Sequence, residues 1–346
     1  MAERQQVDIS ISSVFRAFLP VLALVLIYLL SDVLIILMFA IVIASAVNPF
    51  VVWFEERKVP RIVAVLILYI MVAALFILLS SLVIPPLVSD LSSLTSSIPH
   101  LTQELTNSLD SVQQNSGRYL DAVSEVQNIL ELIAGYLQQF SQSALSLLIS
   151  AFGGVLSFVA ILVMSFYLAV MKEGVESFLE AVLPEKYEPY VIDLWKRAEA
   201  KMGLWLQGQL LLALVVGILV YIGLAVLDVR FALLLAVLAM LLEVVPMAGP
   251  VLSAIPAIAM ALFTGPETVV WVILLYIGVQ QLEGNILFPL IMGKQIGLNP
   301  IVVILAIFIG GNLAGIPGAI LAIPVATIFV EVLDDVARAK TSRRIS

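Results

Sequence analysis

The chain has 346 residues, 62% of them hydrophobic and 12% charged, with a formal net charge of −8 and a mean hydropathy of +1.13. Soluble domains carry about 45–50% apolar and about 25% charged residues, so this composition excludes an ordinary soluble fold. The chain holds no Cys and one His, which excludes disulfides, thiolate chemistry, Cys/His zinc sites and a Ser–His–Asp triad. That single His100 lies in a Ser-rich polar stretch. There is no phosphate-cradling Walker sequence, so any transport must draw on a gradient or another subunit rather than on ATP bound here. No basic arm or aromatic–basic alternation points to nucleic acid. The expectation is a protein that is not an enzyme and has no cofactor or metal.

Taken in order, the apolar runs cover approximately 15–30, 33–53, 61–84, 144–171, 204–227, 231–263, 268–292 and 300–330. A helix needs roughly 20 apolar residues to cross a bilayer. The reading is therefore an all-α integral membrane protein with about eight hydrophobic segments. Residues 1–17 mix Glu3, Arg4, Asp8 and Arg16, and the apolar run from Phe18 continues without a cleavage site. This reads as a retained first span. Residues 1–84 then carry spans one to three, with Asn48-Pro49 expected to kink or end the second.

Orientation follows from Lys and Arg in the connecting segments. Arg57, Lys58 and Arg61 lie between spans two and three. Lys172, Lys186, Lys196, Arg197 and Lys201 lie between spans four and five, and Arg338, Lys340, Arg343 and Arg344 close the chain. The stretch 85–143 holds only Arg118. Both termini are accordingly expected in the cytoplasm, residues 85–143 outside, and the protein in the cytoplasmic membrane.

The outside segment 85–143 has its own pattern. Leu87, Leu91, Leu94, Ile98, Leu101, Leu105, Leu109 and Val112 recur every three or four residues, as do Tyr119, Val123, Val126, Leu130, Ile133, Leu137 and Phe140 beyond a Gly117 turn. Two heptad-like stripes of this kind predict an amphipathic helical hairpin, packed on itself or between subunits of a homo-oligomer. After span four (144–171), residues 172–203 form an interfacial region. Val191, Leu194, Ala198 and Met202 make an apolar face beside Lys196, Arg197 and Lys201, with Tyr187, Tyr190, Trp195 and Trp205 of headgroup-level type.

The region 204–330, ahead of a cytoplasmic tail at 331–346, contains two long apolar segments interrupted by Gly and Pro. Gly249-Pro250-Val251-Leu252-Ser253-Ala254-Ile255-Pro256 resembles Pro317-Gly318-Ala319-Ile320-Leu321-Ala322-Ile323-Pro324, both ending Ala-Ile-Pro. Broken backbone at membrane depth survives only where protein or a water-filled cavity satisfies it, and paired breaks point to a binding site. The spacing suits kinked spans and re-entrant hairpins equally. Pro246, Gly310, Gly311 and Gly315 add to the breaks.

Intramembrane polar groups are functional candidates by default. Glu243 sits among apolar residues, Glu283 lies in the cluster Gln280-Gln281-Leu282-Glu283-Gly284-Asn285, and Lys294 follows. Asn312 lies between Gly310-Gly311 and Gly315 and presents an amide to a solute or to neighbouring backbone. The candidate contacts are thus Glu243, Gln281, Glu283, Asn285 and Asn312. Gly217, Gly223 and Gly278 read as helix-packing residues.

Several of these stretches resemble a known family. Pro246-Met247-Ala248-Gly249-Pro250, Gln281-Leu282-Glu283-Gly284-Asn285-Ile286-Leu287-Phe288-Pro289, Gly297-Leu298-Asn299-Pro300, Gly310-Gly311 and Gly315-Ile316-Pro317-Gly318 with Pro324 are similar to motifs of the AI-2E permease-like family. Asn48-Pro49 with Val59-Pro60-Arg61 resembles its early signature. Met247 stands where the family often has an aromatic. The resemblance implies an oligomeric membrane transporter; the family is named for export of autoinducer-2, and other members are assigned sodium or lithium/proton antiport. Three functions stay open: a transporter of a small polar solute, a monovalent cation/proton exchanger using Glu243 or Glu283, and a non-transporting scaffold acting through the outer hairpin.

Overall fold

A computed structural model describes residues 28–75, 77, 78, 81, 154–245, 248–262, 264–292 and 299–345, with isolated positions at 18, 22, 25 and 26. The expected outer hairpin at 85–143, most of the first span, Pro246 and Lys294 lie outside the described residues. Every regular element among the described residues is helical. This is the form in which apolar segments satisfy their own backbone without water.

Helix α1 (Ser31–Glu55) runs through Pro49 rather than ending there. Proline removes the donor that would meet the carbonyl of Ser45. Gly203 lies directly against that carbonyl, so the missing side chain lets its helix approach closely. One residue on, Gln207 Nε2 donates to Ala46 O at 2.6 Å. The turn of α1 that lacks a hydrogen bond is thus held by a neighbouring helix. Beyond α1, Lys58 adopts φ 67° and the chain enters α2 (Arg61–Leu75).

Helix α3 (Val155–Val170) meets α4 (Gly174–Val182) at a bend of 82°. Helix α5 (Glu188–Val226) has 39 residues, about 58 Å at 1.5 Å per residue, nearly twice a hydrocarbon core of about 30 Å. Its polar first turns therefore project beyond the apolar layer. Of the residues read as an interfacial face, Ala198 and Met202, with Trp205, are buried against α1, α3 and the C-terminal helix. Residues 188–203 are thus continuous with the span that follows.

Helices α6 (Ala232–Leu242) and α7 (Ala248–Leu262) form the first broken segment. Gly249 lies against the carbonyl of Leu242. Along a straight helix these residues would be about 10 Å apart, so the chain has folded back into a hairpin. Helix α8 (Pro266–Ile291) crosses next. Helix α9 (Pro300–Ile345) is broken at Ala314 and Gly315, the latter with φ 61° and ψ −143°. Gly310 and Gly318 touch backbone to backbone across that break, where a straight helix would separate them by about 12 Å. The second broken segment is a hairpin too. In both, a glycine in the first turn of the returning limb seats against a carbonyl of the outgoing limb.

Among the described residues four helices are long and apolar enough to cross a membrane, counting α9 across its break, or five if the bent pair α3–α4 counts as one span. Among the described residues the expected broken segment 231–263 divides into limbs of 11 and 15 residues, about 17 and 22 Å, too short to span singly. α5 is the common wall. Its C-terminal half packs with α6, α7 and α8 in one apolar cluster, and its N-terminal half packs with α1, α3 and α9 in another.

Two polar networks tie the projecting ends together. Arg61 donates to Glu55 at 3.1 Å, to Asn48 Oδ1 at 3.0 Å and to the carbonyl of Ala169 at 2.9 Å. Asn48 passes the chain on to Glu199 at 3.2 Å. On α5, Arg197 pairs with Glu331 at 2.5 Å, Asp335 at 2.7 Å and Asp193 at 3.0 Å, and Lys201 also pairs with Glu331. This second network fastens α5 to the returning limb of α9.

Candidate functional site

The first hairpin turns at Glu243, where α6 stops. A helix end leaves carbonyls without intrahelical donors, and inside an apolar bundle each needs another partner. The carbonyl of Glu243 is met by Gln209 of α5, whose Nε2 donates at 2.6 Å. The Glu243 side chain is fully buried at 0% exposure.

Glu283 reaches the same place from α8. Residues Glu283–Leu287 form a π-helical turn, in which the N–H of Phe288 donates to Glu283 O. Pro289 explains it: the ring removes the donor for Asn285 O and crowds that carbonyl, and widening the turn relieves the crowding. Such turns recur at functional sites. Here the π turn leaves Glu283 facing inward, 8% exposed, beside the Glu243 carboxyl.

No protein donor reaches Glu243 Oε1, Glu243 Oε2, Glu283 Oε2 or Gln209 Oε1, all buried. Among the described residues neither glutamate takes part in an ion pair. Buried polar atoms are nearly always bonded, so a cluster of unmet ones calls for a partner. Every unmet atom is a carboxyl or amide oxygen, and a carboxyl can also hold a proton. What the cluster lacks is a shared proton, an external donor or a cation. No group of three or more His, Cys, Asp or Glu that could hold a metal ion gathers among the described residues.

The other sequence candidates fall elsewhere. Gln281 and Asn285 are exposed on the outer face of α8, where Asn285 Nδ2 donates to Gln281 O and Oε1, both at 2.9 Å. Asn312 is exposed near the tip of the second hairpin. Gly249 and Pro250 are buried at the start of the returning limb of the first hairpin, and Pro256 lies within that limb. Gly310, Gly311, Gly315, Pro317 and Gly318 shape the second hairpin, with Pro324 buried deeper in it. Gln209 was not among the candidates, although an amide inside the apolar run 204–227 is a signal. Tyr276 of α8 steadies the surroundings, donating from its hydroxyl to Ser253 O on α7 at 3.2 Å. A small open hollow lies apart from the pair, lined by Ser45, Trp195 and Glu199 between α1, the α3–α4 bend and α5.

Comparison with known proteins bears on this arrangement. Residues 18–338 match a family described as AI-2E family transporter. The chain is 29% identical to YueF of Bacillus subtilis over 288 residues, covering 81% of this chain and 78% of the relative. It is 30% identical to YhhT of Escherichia coli over 299 residues, covering 86% and 83%. It is 28% identical to the AI-2 transport protein TqsA of Escherichia coli over 316 residues, covering 89% and 87%.

Proposed function

The chain belongs to the AI-2E family of membrane transporters, and from that premise we propose that it carries a small polar solute rich in hydrogen-bond donors, binding it at the Glu243–Glu283 pair. The observation that carries this reading is the set of four buried acceptor oxygens without a donor beside a broken helix. A solute with hydroxyl or amino groups supplies what they lack. One relative is an AI-2 transport protein, and a signal of that class, small and oxygen-rich, is a suitable first cargo to test. In this reading the two hairpins are re-entrant and meet near mid-membrane, both termini lie in the cytoplasm, the membrane is the cytoplasmic one, and the protein works as a homo-oligomer with 85–143 as its outer arm.

The facing carboxyls favour a second reading, monovalent cation/proton exchange. One cation or one proton between them would meet the same acceptors. Purified protein in liposomes separates the two. Uptake of neutral donor-rich solutes without a cation gradient supports the first; proton movement driven by imposed Na⁺ or Li⁺ gradients, without solute uptake, supports the second.

A further inference from the structure

We infer that Gln209 is the specificity-determining residue of this site, clasping the tip of the first hairpin with its amide nitrogen and offering its carbonyl oxygen to the cargo. The inference rests on the transport reading above. Gln209 is 2% exposed, and it sits on α5 next to Gly208, which packs on Met292 just beyond the π turn. One side of α5 here meets the hairpin and another meets α8, so the side chain occupies the wedge between the two carboxyl-bearing elements.

Its orientation is fixed by chemistry. Glu243 O is an acceptor only, so the end of the amide that meets it is the nitrogen. The other end, Oε1, is then held in the interior with no donor. A methionine or leucine would fill this space with no bare oxygen of its own, but would leave Glu243 O without its donor. An amide that meets one carbonyl and leaves its own oxygen bare has two jobs: one holds the break, the other awaits a donor. Because the amide is neutral, it adds an acceptor without adding a third negative charge. The site therefore recognises neutral or singly charged donors.

The chain has no Cys, so a single introduced thiol reports on the tip without background. The test uses full-length protein in proteoliposomes carrying Val245→Cys, with Gln209→Met and Gln209→Glu added separately. A small water-soluble methanethiosulfonate measures access, and the flux panel holds an autoinducer-2-like furanose diol, glycerol, choline and Na⁺. Gln209→Met preserves side-chain volume but loses both polar functions. It should raise the labelling rate about tenfold and raise half-saturation for the transported member of the panel about tenfold, with maximal flux largely kept. Gln209→Glu should shift preference from neutral towards cationic members. Unchanged labelling and half-saturation in a folded Gln209→Met protein would overturn the inference, since a side chain that only packs is replaced by Met without loss. If Glu243→Gln and Glu283→Gln leave flux intact, or no member is carried, the site reading fails, and with it the cargo role of Gln209. Labelling then still decides whether Gln209 clasps the tip.

Discussion

Replacing Gly318 by alanine tests the second hairpin at its tightest point. The added Cβ would meet the carbonyl oxygen of Gly310, and it would lie 2.8 Å from the Gly310 carbonyl carbon and 2.9 Å from Ala314 Cβ. Comfortable carbon contacts are about 3.5–4.0 Å. The obstacle is backbone, which cannot swing aside, so the limbs must part by on the order of 1 Å and lose contact along their length. Overpacking of this kind costs about 1–3 kcal/mol, against a gain of about 1 kcal/mol in helix propensity. Gly278 is the control, because a Cβ there meets nothing within 4 Å and Gly278→Ala collects the propensity gain alone. Unfolding of both variants in detergent should place Gly318→Ala below Gly278→Ala by about 1–3 kcal/mol. Equal stability would mean that the limbs are not in contact and that the hairpin is wrongly described.

Gly249→Ala should behave like Gly318→Ala, because its Cβ would meet the Leu242 carbonyl and come within 2.8 Å of Glu243 Cα; it should also reduce transport, measured as initial flux. Arg197→Met should destabilise by about 1–3 kcal/mol, because Glu331 is 5% exposed and keeps only Lys201 as a partner; adding Lys201→Met should cost more than the separate effects predict, as a double-mutant cycle would read. Lys58→Gly should stabilise by up to about 1 kcal/mol in chemical unfolding, since Lys58 holds φ 67° on an exposed turn and glycine adopts that conformation without strain.

Much of the helix plan is readable from hydrophobic runs, and the apolar runs from residue 33 onward that lie among the described residues fall on helices. Crossing count is not readable in the same way, because a folded-back segment and a long span have the same composition. The Gly/Pro motifs do mark the hairpins, but the breaks lie just ahead of them, at Glu243–Val245 and Ala314–Gly315. Proline fits the first turn of a helix, where its missing N–H has no partner to lose, so Pro250 and Pro317 begin the returning limbs. Pro49 does not end its helix, for a related reason: a neighbouring helix compensates the turn it weakens. Glu243 and Glu283 stand out as acids in apolar surroundings. Their meeting does not, since it depends on one hairpin and one π turn. Gln209 is hidden because a single amide in a span reads the same whether it bonds a neighbouring helix or faces a cargo, and Asn285 draws notice although its amide is bonded to its own helix.

Flux through proteoliposomes containing wild-type protein, Glu243→Gln, Glu283→Gln and Asn285→Ala tests the central claim most directly. Each glutamine keeps the size of the glutamate and removes the carboxyl, whereas Asn285→Ala removes an exposed amide from the outer face of α8. With all four proteins folded and equally incorporated, either glutamine variant should lose most of the flux, about tenfold or more for a lost charged contact, and Asn285→Ala should keep it. Full flux in both glutamine variants would contradict the account and move the site away from the carboxyl pair.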